Sequence, residues 1–310
     1  MKAVRVHALR EAPRIDEIEA PLAAKGRTIV EMQAATVGHI DRTVWSGHFF
    51  QHPPLPYIPG VEAAGIVRSS GRFAVGDRVW LRGAGLGIRQ DGTWCEFISA
   101  PDEAIDKLPD AVTMSLGSAF FSPCTSGWVA LHDVARVRPG ERLLVTGASG
   151  AVGGITVQLA LALGARVHAV VRDAAQSERL PAGALPVLQD RLADAEICNA
   201  LIDTVGGAVL AAALPRVAPG GRAVLVGYTA GQSVALDLPS FLQRDVALLP
   251  LNMMRREAAG RSAVPELLAR LADGRLRLEV KTFPLQEAPA ALAWIAQRGH
   301  RGRAVLVPAP

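Results

Sequence analysis

The N-terminal third of the chain alternates apolar and polar positions over short runs, the pattern of half-buried β-strands. A proline-rich stretch, Pro53–Gly60, interrupts these runs and is unsuited to a helix or a central strand. Short strands separated by glycine and proline turns predict a small barrel or sandwich. The predicted strands are Met1–His7, Thr28–Ala34, Glu62–Val67, the end of the turn-and-strand stretch Phe73–Trp80, and Thr93–Ala100.

Helical spacing begins to alternate with short apolar runs near Met114. Strands separated by helices indicate βαβ units and a parallel sheet. Gly274 stands where a glycine would end the last long helix of this region. The predicted strands are Arg142–Val145, Arg166–Val171, Ile197–Asp203, Arg222–Val226, Lys281–Leu285 and Gly302–Val307, and the predicted helices are Ser126–Val134, Ala151–Leu163, Val264–Ala272 and Ala288–Gln297.

Composition indicates a soluble globular protein, since half of the 310 residues are hydrophobic and a fifth are charged. The 33 basic and 29 acidic residues leave a net charge of +4, too small and too scattered for a nucleic-acid partner. Polar residues interrupt the most apolar long segment, Ile155–Val171, which falls short of the roughly 20 apolar residues of a membrane span. We therefore expect no membrane partner.

The cysteines predict a reducing compartment. Cys95, Cys124 and Cys198 lie far apart and form no C-x-x-C pair, so a disulfide framework is not expected. The segment Met1–Pro13 carries charges throughout and has no apolar core of the kind found in signal peptides. We expect a cytoplasmic protein.

A short apolar run meets a glycine-rich turn and then a long helical segment between Leu143 and Leu163. This order of strand, turn and helix is what a dinucleotide-binding site requires. Residues without bulky side chains let a pyrophosphate approach the free N–H groups at the start of the helix. The glycines are spaced three apart, unlike the G-x-G-x-x-G fingerprint, so the motif alone is a loose match. The predicted phosphate-binding residues are Gly147, Ala148, Ser149, Gly150, Ala151, Val152 and Gly153.

Five motifs in order give the chain a family resemblance. They are Pro59–Gly65, Val75–Val79, Gly147–Gly153, Asp203–Gly207 and Gly302–Leu306. Together they resemble the medium-chain dehydrogenase/reductase superfamily, and its zinc-independent quinone oxidoreductase branch in particular. The resemblance covers nearly the whole chain. It implies an α/β fold in which a Rossmann-type doubly wound parallel sheet, residues 118–273, is inserted in a GroES-like, partly open β-barrel domain, residues 1–117 and 274–310. Relatives are commonly dimers, so we expect a homodimer.

The short-chain dehydrogenases are the main competing family for the glycine-rich turn. They need glycines five and seven residues after the threonine, where this chain has Ala151 and Gly153. They also need a Tyr-x-x-x-Lys pair, and neither Tyr57 nor Tyr228 is followed by lysine at that spacing. The competing assignment fails.

Zinc-dependent members of the superfamily bind catalytic zinc through three side chains. The resemblance places those ligands at Gly38, Val61 and Ser122, none of which is a good ligand. Of the family's residues around the metal, only Glu62 is present. Two residues close to these positions have plainer interpretations. His39 fits a polar wall, and Cys124 a packed thiol. Only Cys95 lies where the family's structural zinc would need four cysteines, so we predict no zinc.

The end of the second Rossmann strand usually carries the acid that selects NAD. By the family pattern that position is Val171, and Arg172 and Asp173 follow it. Arg172 suits a 2′-phosphate, and Arg179 stands where relatives often carry a second base, although it also suits a solvated helix face. Asp173 could instead bind a ribose diol, and a family tyrosine that serves the phosphate is missing. The balance favours NADPH over NADH.

The resemblance also implies contacts near the nicotinamide end of the cofactor. The residues are Ser126, Gly227, Tyr228 and Asn252. Each also has a plain structural interpretation, respectively a helix-start serine, a turn glycine, a core tyrosine and a loop asparagine.

Without zinc, hydride transfer depends on positioning the acceptor, and conjugated acceptors suit this because their charge delocalises. Tyr57 is the candidate proton donor, with ordinary packing as its alternative role. The predicted acceptor pocket consists of a loop at His39 and Asp41 and an aromatic wall with Trp45 and Phe49, to which His48 and Phe50 could add. The sequence therefore predicts an NADPH-dependent quinone or enone reductase. A non-catalytic NADPH-binding protein and a zinc alcohol dehydrogenase are the alternatives.

Overall fold

Two sheets organise the chain, and each belongs to its own unit. The computed structural model describes residues 1–297 and 299–308. Unit 1 comprises Met1–Phe121 and the chain from Leu278 onward, and unit 2 comprises Ser122–Arg277. The boundaries predicted from the sequence, after residues 117 and 273, lie a few residues earlier than these.

The elements follow one another through both units. The strands are β1 (Lys2–Arg5), β2 (Arg14–Glu17), β3 (Arg27–Val37), β4 (Glu62–Ser69), β5 (Arg78–Arg82), β6 (Phe97–Pro101), β7 (Ile105–Lys107), β8 (Arg142–Val145), β9 (Arg166–Val171), β10 (Leu185–Leu188), β11 (Cys198–Asp203), β12 (Val217–Leu225), β13 (Ala247–Pro250), β14 (Val280–Pro284) and β15 (Arg303–Val307). The α-helices are α1 (His39–Trp45), α2 (Met114–Ala119), α3 (Phe121–Val129), α4 (Ala151–Ala162), α5 (Ala174–Ser177), α6 (Gly207–Ala213), α7 (Leu238–Arg244), α8 (Glu257–Ala272) and α9 (Ala288–Ala296). A π-helical turn, Ala130–Val134, continues α3, and short 3₁₀ turns occupy Asp102–Ala104, Gln189–Asp194, Leu214–Arg216 and Leu285–Glu287.

Unit 2 is built on a six-stranded parallel sheet in the order β10-β9-β8-β11-β12-β13. The order reverses beside β8, which is the switch point of a doubly wound sheet and the usual ligand position in such folds. Leu143, Leu144 and Val145 of β8 are fully buried because helices cover both faces of a parallel sheet. The predicted Rossmann-type sheet is confirmed.

Unit 1 is built on a sheet in the order β14-β15-β3-β4-β5-β7, with β6 also paired to β3. Along β3 every second residue from Thr28 to Ala34 is buried, as the alternating pattern predicts. The C-terminal strand β15 lies antiparallel to β3, with Ala304 opposite Val37. Both ends of the chain therefore build one domain, which confirms the expected GroES-like unit.

The expected loop at His39 and Asp41 is wrong, because these residues begin helix α1. The Asp41 carboxylate accepts the Gly38 N–H at 2.7 Å and caps the helix in the manner of a capping box. Eight further elements were not predicted from the sequence, namely β2, β7, α2, β10, α5, α6, α7 and β13. These elements are short, and α5 and α7 bury no residue, so their apolar pattern is weak. Across the described residues, no helix has the length and apolar character needed to span a membrane.

Candidate functional sites

The glycine-rich turn joins β8 to α4 at the switch point of the unit 2 sheet. Gly147 has a φ of +63°, a conformation that favours glycine. A Cβ on Gly153 would lie 2.1 Å from the Gly147 carbonyl oxygen, so the first turn of α4 packs directly against the turn's backbone. Both positions require glycine, one for its conformation and the other for close approach.

The first turn of α4 presents free backbone donors. Its N-cap is Gly150, which supplies no side-chain acceptor, and the first hydrogen bond back to it comes from Gly154 N–H at 2.8 Å. The N–H groups of Ala151, Val152 and Gly153 therefore have no acceptor in the part of the chain that the structure describes. Such donors at a helix start, approached over glycines, fit the pyrophosphate of a dinucleotide.

A buried hydrogen-bond network fixes the carboxyl ends of β8 and β11 beside this turn. The Thr146 hydroxyl donates to Asp203 Oδ1 at 2.5 Å and accepts the Thr204 N–H at 3.1 Å, and Asp203 Oδ2 accepts the Gly206 N–H at 2.8 Å. Burial raises the pKa of Asp203. These contacts give Asp203 a structural role, because each of its carboxyl oxygens already accepts a hydrogen bond from the protein.

Two arginines in the segment that follows β9 are exposed to solvent. Arg172 and Arg179 are exposed, and neither forms an ion pair with a described residue. Asp173 is the N-cap of α5, and its Oδ1 accepts the Gln176 N–H at 2.9 Å. One oxygen of Asp173 is thus occupied by helix capping, while both guanidinium groups are exposed.

The other four residues of unit 2 that are predicted to contact the cofactor differ in burial and in their contacts within the protein. Tyr228 is 59 % exposed, so the alternative of a core tyrosine is wrong. Ser126 is buried in the middle of α3 and does not start a helix. Asn252 Oδ1 accepts the N–H groups of Met254 and Arg255 at 3.0 and 3.3 Å, as expected for an asparagine that stabilises a turn. A Cβ on Gly227 would lie 2.2 Å from the Thr204 carbonyl oxygen, so the close approach of the two backbones requires glycine there. Their contact with a cofactor stays a prediction.

Unit 1 contains a buried cluster of charged side chains that is not predicted from the sequence. Glu62, 1 % exposed, accepts hydrogen bonds from Arg82 at 3.3 Å and from Arg303 at 3.0 Å. Glu62 and Arg82 are cross-strand partners on β4 and β5. Glu62 and Arg303 each belong to one of the five motifs, which marks both as candidates for a role. Nothing in the sequence indicates that the two side chains are in contact.

Asp41 is buried beside this cluster and links two backbone segments. Its carboxylate accepts the N–H groups of Gly38 and Val61 at 2.7 and 3.0 Å. Burial, opposed by the Gly38 N–H and reinforced by the nearby charge of Glu62, raises the pKa of Asp41 to about 7. Asp41 thus changes charge near neutral pH although it has almost no contact with solvent.

This raised pKa predicts a pH-dependent stability. The folded protein holds a proton on Asp41 that the unfolded chain, with an ordinary pKa of 3.8, releases at lower pH. The resulting stabilisation is complete below the unfolded pKa and is lost as the pH rises through about 7. Between about pH 5 and pH 8, the free energy of unfolding of the wild type should fall by on the order of a few kcal/mol more than that of Asp41→Asn.

Chemical denaturation of both proteins at several pH values measures this difference. His39 acts in the opposite direction, because its lowered pKa costs stability as the pH falls, but it is common to both proteins and cancels in the comparison. Parallel pH profiles of the wild type and Asp41→Asn would refute the assignment.

His39 keeps exposed surface at the start of α1, while its ring lies 6.0 Å from that of His300. Desolvation by the surrounding protein, followed by the charges of Arg303, His300 and Arg42, lowers the pKa of His39 to about 4. The imidazole is therefore neutral at physiological pH and can donate or accept one hydrogen bond without adding charge.

Tyr57 is fully buried, and its hydroxyl has no hydrogen-bond partner among the described residues. It packs with Val6 and Val44, and the partly buried Trp45 and Phe49 contact the same cluster. The predicted aromatic wall and the predicted proton donor therefore lie together. Burial, and then the charge of Asp41, raises the pKa of Tyr57, so its hydroxyl is a weak acid. Its role as proton donor stays a prediction that requires access to an enclosed hydroxyl.

The three positions that the resemblance assigns to zinc ligands offer no ligand set. Gly38 has no side chain, Val61 is buried and apolar, and Ser122 belongs to unit 2. No group of three or more His, Cys, Asp or Glu residues is placed to hold a metal ion within residues 1–297 and 299–308. These residues do not fit a catalytic zinc site, and the absence of zinc itself stays a prediction.

Comparisons with known proteins match both units. The family model described as "Alcohol dehydrogenase GroES-like domain" matches residues 24–110, and the one described as "Zinc-binding dehydrogenase" matches residues 182–306. "Putative quinone oxidoreductase YhfP" of Bacillus subtilis (strain 168) is 30 % identical over 270 residues, which cover 81 % of each chain. The quinone oxidoreductase of Mus musculus is 33 % identical over 175 residues, 54 % of this chain and 51 % of that protein.

The likeness in fold extends over almost the whole chain. The crystal structure of a quinone oxidoreductase from Pseudomonas syringae pv. Tomato DC3000 superposes with a TM-score of 0.86 at 25 % sequence identity and covers 99 % of both chains.

Proposed function

Because the chain belongs to the medium-chain dehydrogenase/reductase superfamily, in its quinone oxidoreductase branch, we propose that it is a zinc-independent, NADPH-dependent reductase of quinones or α,β-unsaturated carbonyl compounds. Membership makes it an oxidoreductase. The observation that carries the finer proposal is the glycine-lined start of α4, with its free N–H groups, in a chain whose zinc-ligand positions hold Gly38, Val61 and Ser122.

Some residues of this chain would bind the cofactor, and others would stabilise the charge that develops on the acceptor. When bound, a reduced nicotinamide supplies the hydride. The free N–H groups of Ala151, Val152 and Gly153 would hold the pyrophosphate. A conjugated acceptor delocalises the charge that hydride addition creates, so it needs hydrogen-bond donors and no Lewis acid. Quinones and enones therefore match a site without metal ligands.

A kinetic survey of acceptors tests this proposal. We expect the protein to oxidise NADPH in the presence of at least one member of a panel of quinones and 2-alkenals. Absence of turnover with every acceptor, in a protein that still binds NADPH, would refute the reductase and favour a non-catalytic NADPH-binding protein.

The preference for NADPH over NADH rests on Arg172 and Arg179. Both guanidinium groups are exposed, and charge-assisted contacts to a phosphate contribute about 1.5–3 kcal/mol each. We expect Arg172→Ala to raise the KM for NADPH roughly 10- to 100-fold and to leave the KM for NADH nearly unchanged. Steady-state kinetics with both cofactors measures the ratio.

A matched control distinguishes this contact from a general effect of charge. Arg191 is an exposed arginine of unit 2 that pairs with Asp194, outside the segment that follows β9. Arg191→Ala should leave both KM values unchanged. An equal rise for NADPH and NADH in Arg172→Ala would contradict the proposed 2′-phosphate contact.

A zinc alcohol dehydrogenase is the third and weakest candidate, and the description of the family model that matches residues 182–306 is what favours it. Stoichiometric zinc in the purified protein, measured by elemental analysis, would support it over the proposed reductase. A homodimer and a cytoplasmic location belong to the same proposal as the reductase, and sedimentation analysis tests the former.

A further inference from the structure

Arg303 is an arginine with few of its donors in use. Nη2 donates to Glu62 at 3.0 Å, whereas Nε is buried with no hydrogen-bond partner among the described residues. No bond from Nη1 to a described residue is present either, and the side chain keeps 12 % of its surface exposed. A guanidinium carries five N–H groups, and burying them without acceptors is costly. This arrangement leaves donors free for a bound molecule.

Gly38 provides the space in which this guanidinium lies. A Cβ at position 38 would stand 3.2 Å from both Nη1 and Nη2 of Arg303. The backbone at Gly38 is extended, with a φ of −119°, so the conformation itself does not require glycine. The pairing of β15 with β3, which sets Ala304 opposite Val37, brings Arg303 beside Gly38. The missing side chain therefore makes room for the arginine.

The carboxylates around Arg303 neutralise its guanidinium only in part. Its carboxylate partner, Glu62, is shared with Arg82, so one negative charge faces two guanidinium groups. Asp41 adds a second carboxyl group, which already accepts the N–H groups of Gly38 and Val61. The neutral ring of His39 stands next to Gly38 in the sequence and adds no competing cation. An oxygen that becomes negative during a reaction would be stabilised here.

We propose that Arg303, lying over Gly38, donates the hydrogen bonds that stabilise the acceptor oxygen as it becomes an oxyanion, and thereby selects acceptors with a conjugated carbonyl group. This inference rests on the proposed reductase function. The β-carbon of the acceptor takes the hydride, the two electrons of its carbon–carbon π bond shift toward the carbonyl oxygen, and an enolate results. Arg303 keeps its protons throughout. The α-carbon then takes a proton from solvent, so the acceptor is reduced by two electrons and the nicotinamide is oxidised.

Arg303→Gln and Arg303→Lys test the role in turnover. With 2-cyclohexenone as acceptor, we expect Arg303→Gln to lower kcat/KM about 100-fold, as loss of an oxyanion donor does. Arg303→Lys should recover part of this loss because it keeps the charge. The affinity for NADPH should stay close to that of the wild type in both variants. Arg68→Gln, which removes an exposed arginine paired with Glu31 in the same unit, is the matched control and should behave as the wild type.

Binding of 4-nitrophenol gives a readout that a purely structural role would not change. Its phenolate carries a negative oxygen and absorbs in the visible range, so a titration reports the pKa of the bound phenol directly. In the wild type, we expect that pKa to lie below its value in solution, with binding competitive against 2-cyclohexenone. The shift should vanish in Arg303→Gln. It should shrink in Gly38→Ala, whose Cβ presses on the guanidinium and which keeps the test valid if Arg303→Gln fails to fold.

The outcomes separate the two proposals. Unchanged turnover of 2-cyclohexenone and an unchanged phenol shift in both Arg303→Gln and Gly38→Ala would overturn the role of Arg303 and leave the reductase standing. A wild type without turnover on any acceptor would overturn the reductase. In that case the phenol shift still decides whether Arg303 binds a negative oxygen.

Discussion

Gly153→Ala is expected to weaken NADPH binding by at least about 100-fold. The new Cβ would lie 2.1 Å from the Gly147 oxygen and 2.7 Å from the Gly147 carbonyl carbon, both of which belong to backbone. Relief requires the turn and the first turn of α4 to separate by about 1 Å, a displacement that typically costs 100-fold where a bound group must be held in place. The free N–H groups of Ala151 and Val152 would no longer converge on the pyrophosphate.

Fluorescence titration with NADPH measures this loss, and a neighbouring glycine supplies the control. A Cβ on Gly154 would lie 3.3 Å from the Ala148 oxygen, a contact that a shift of a few tenths of an ångström relieves. Gly154→Ala should therefore bind NADPH within a few-fold of the wild type, helped by the higher helix propensity of alanine. Equal affinities in the wild type and Gly153→Ala would show that α4 does not hold the cofactor phosphates.

Glu62→Gln is expected to destabilise unit 1 by about 3–5 kcal/mol, the usual cost of breaking a buried ion pair by removing one partner. The substitution removes the carboxylate that Arg82 and Arg303 share, and Arg303 has only 12 % of its side chain in solvent. Chemical denaturation followed by tryptophan fluorescence reports on this unit, because Trp80 and Trp94 are buried in it.

An exposed ion pair of the same unit provides the control for Glu62. Glu31 and Arg68 are 31 % and 47 % exposed, so Glu31→Gln should cost less than about 1 kcal/mol. The double variant Glu62→Gln/Arg82→Gln should recover part of the loss, since it removes the excess charge with the carboxylate. A cost in Glu62→Gln no larger than that in Glu31→Gln would contradict the account of the cluster.

The sequence allowed the fold and the family to be predicted because each rests on local order. Strand β8, its glycine-rich turn and α4 are contiguous in the chain, so one short stretch of sequence carries the whole signal. The superfamily assignment, made from five short motifs in order, is confirmed. Helix α1 was missed because its main local signal is the capping contact of Asp41, whose carboxylate also binds the distant Val61 N–H.

The charged cluster of unit 1 could not be derived from the sequence. Glu62 and Arg303 are 241 residues apart, and their contact depends on the placement of β15 and β4 on either side of β3. The same holds for the guanidinium over Gly38, which needs the register between β15 and β3. The sequence shows only that Gly38 stands where zinc-dependent relatives carry a metal ligand. In the structure, the guanidinium of Arg303 lies beside Gly38, in the space that a side chain there would need. Burial of Tyr57 likewise depends on how α1 packs on the N-terminal strand region.

Transfer of deuterium from labelled NADPH to an enone is the decisive test of the proposed hydride transfer. NADPH is prepared with deuterium at C4 in each of its two stereochemical positions, and each form is incubated with the protein and 2-cyclohexenone. The proposed reductase predicts that one of the two forms places deuterium on the β-carbon of the cyclohexanone product, as mass and NMR spectra would show. Consumption of neither form, or a product free of deuterium with both, would contradict it.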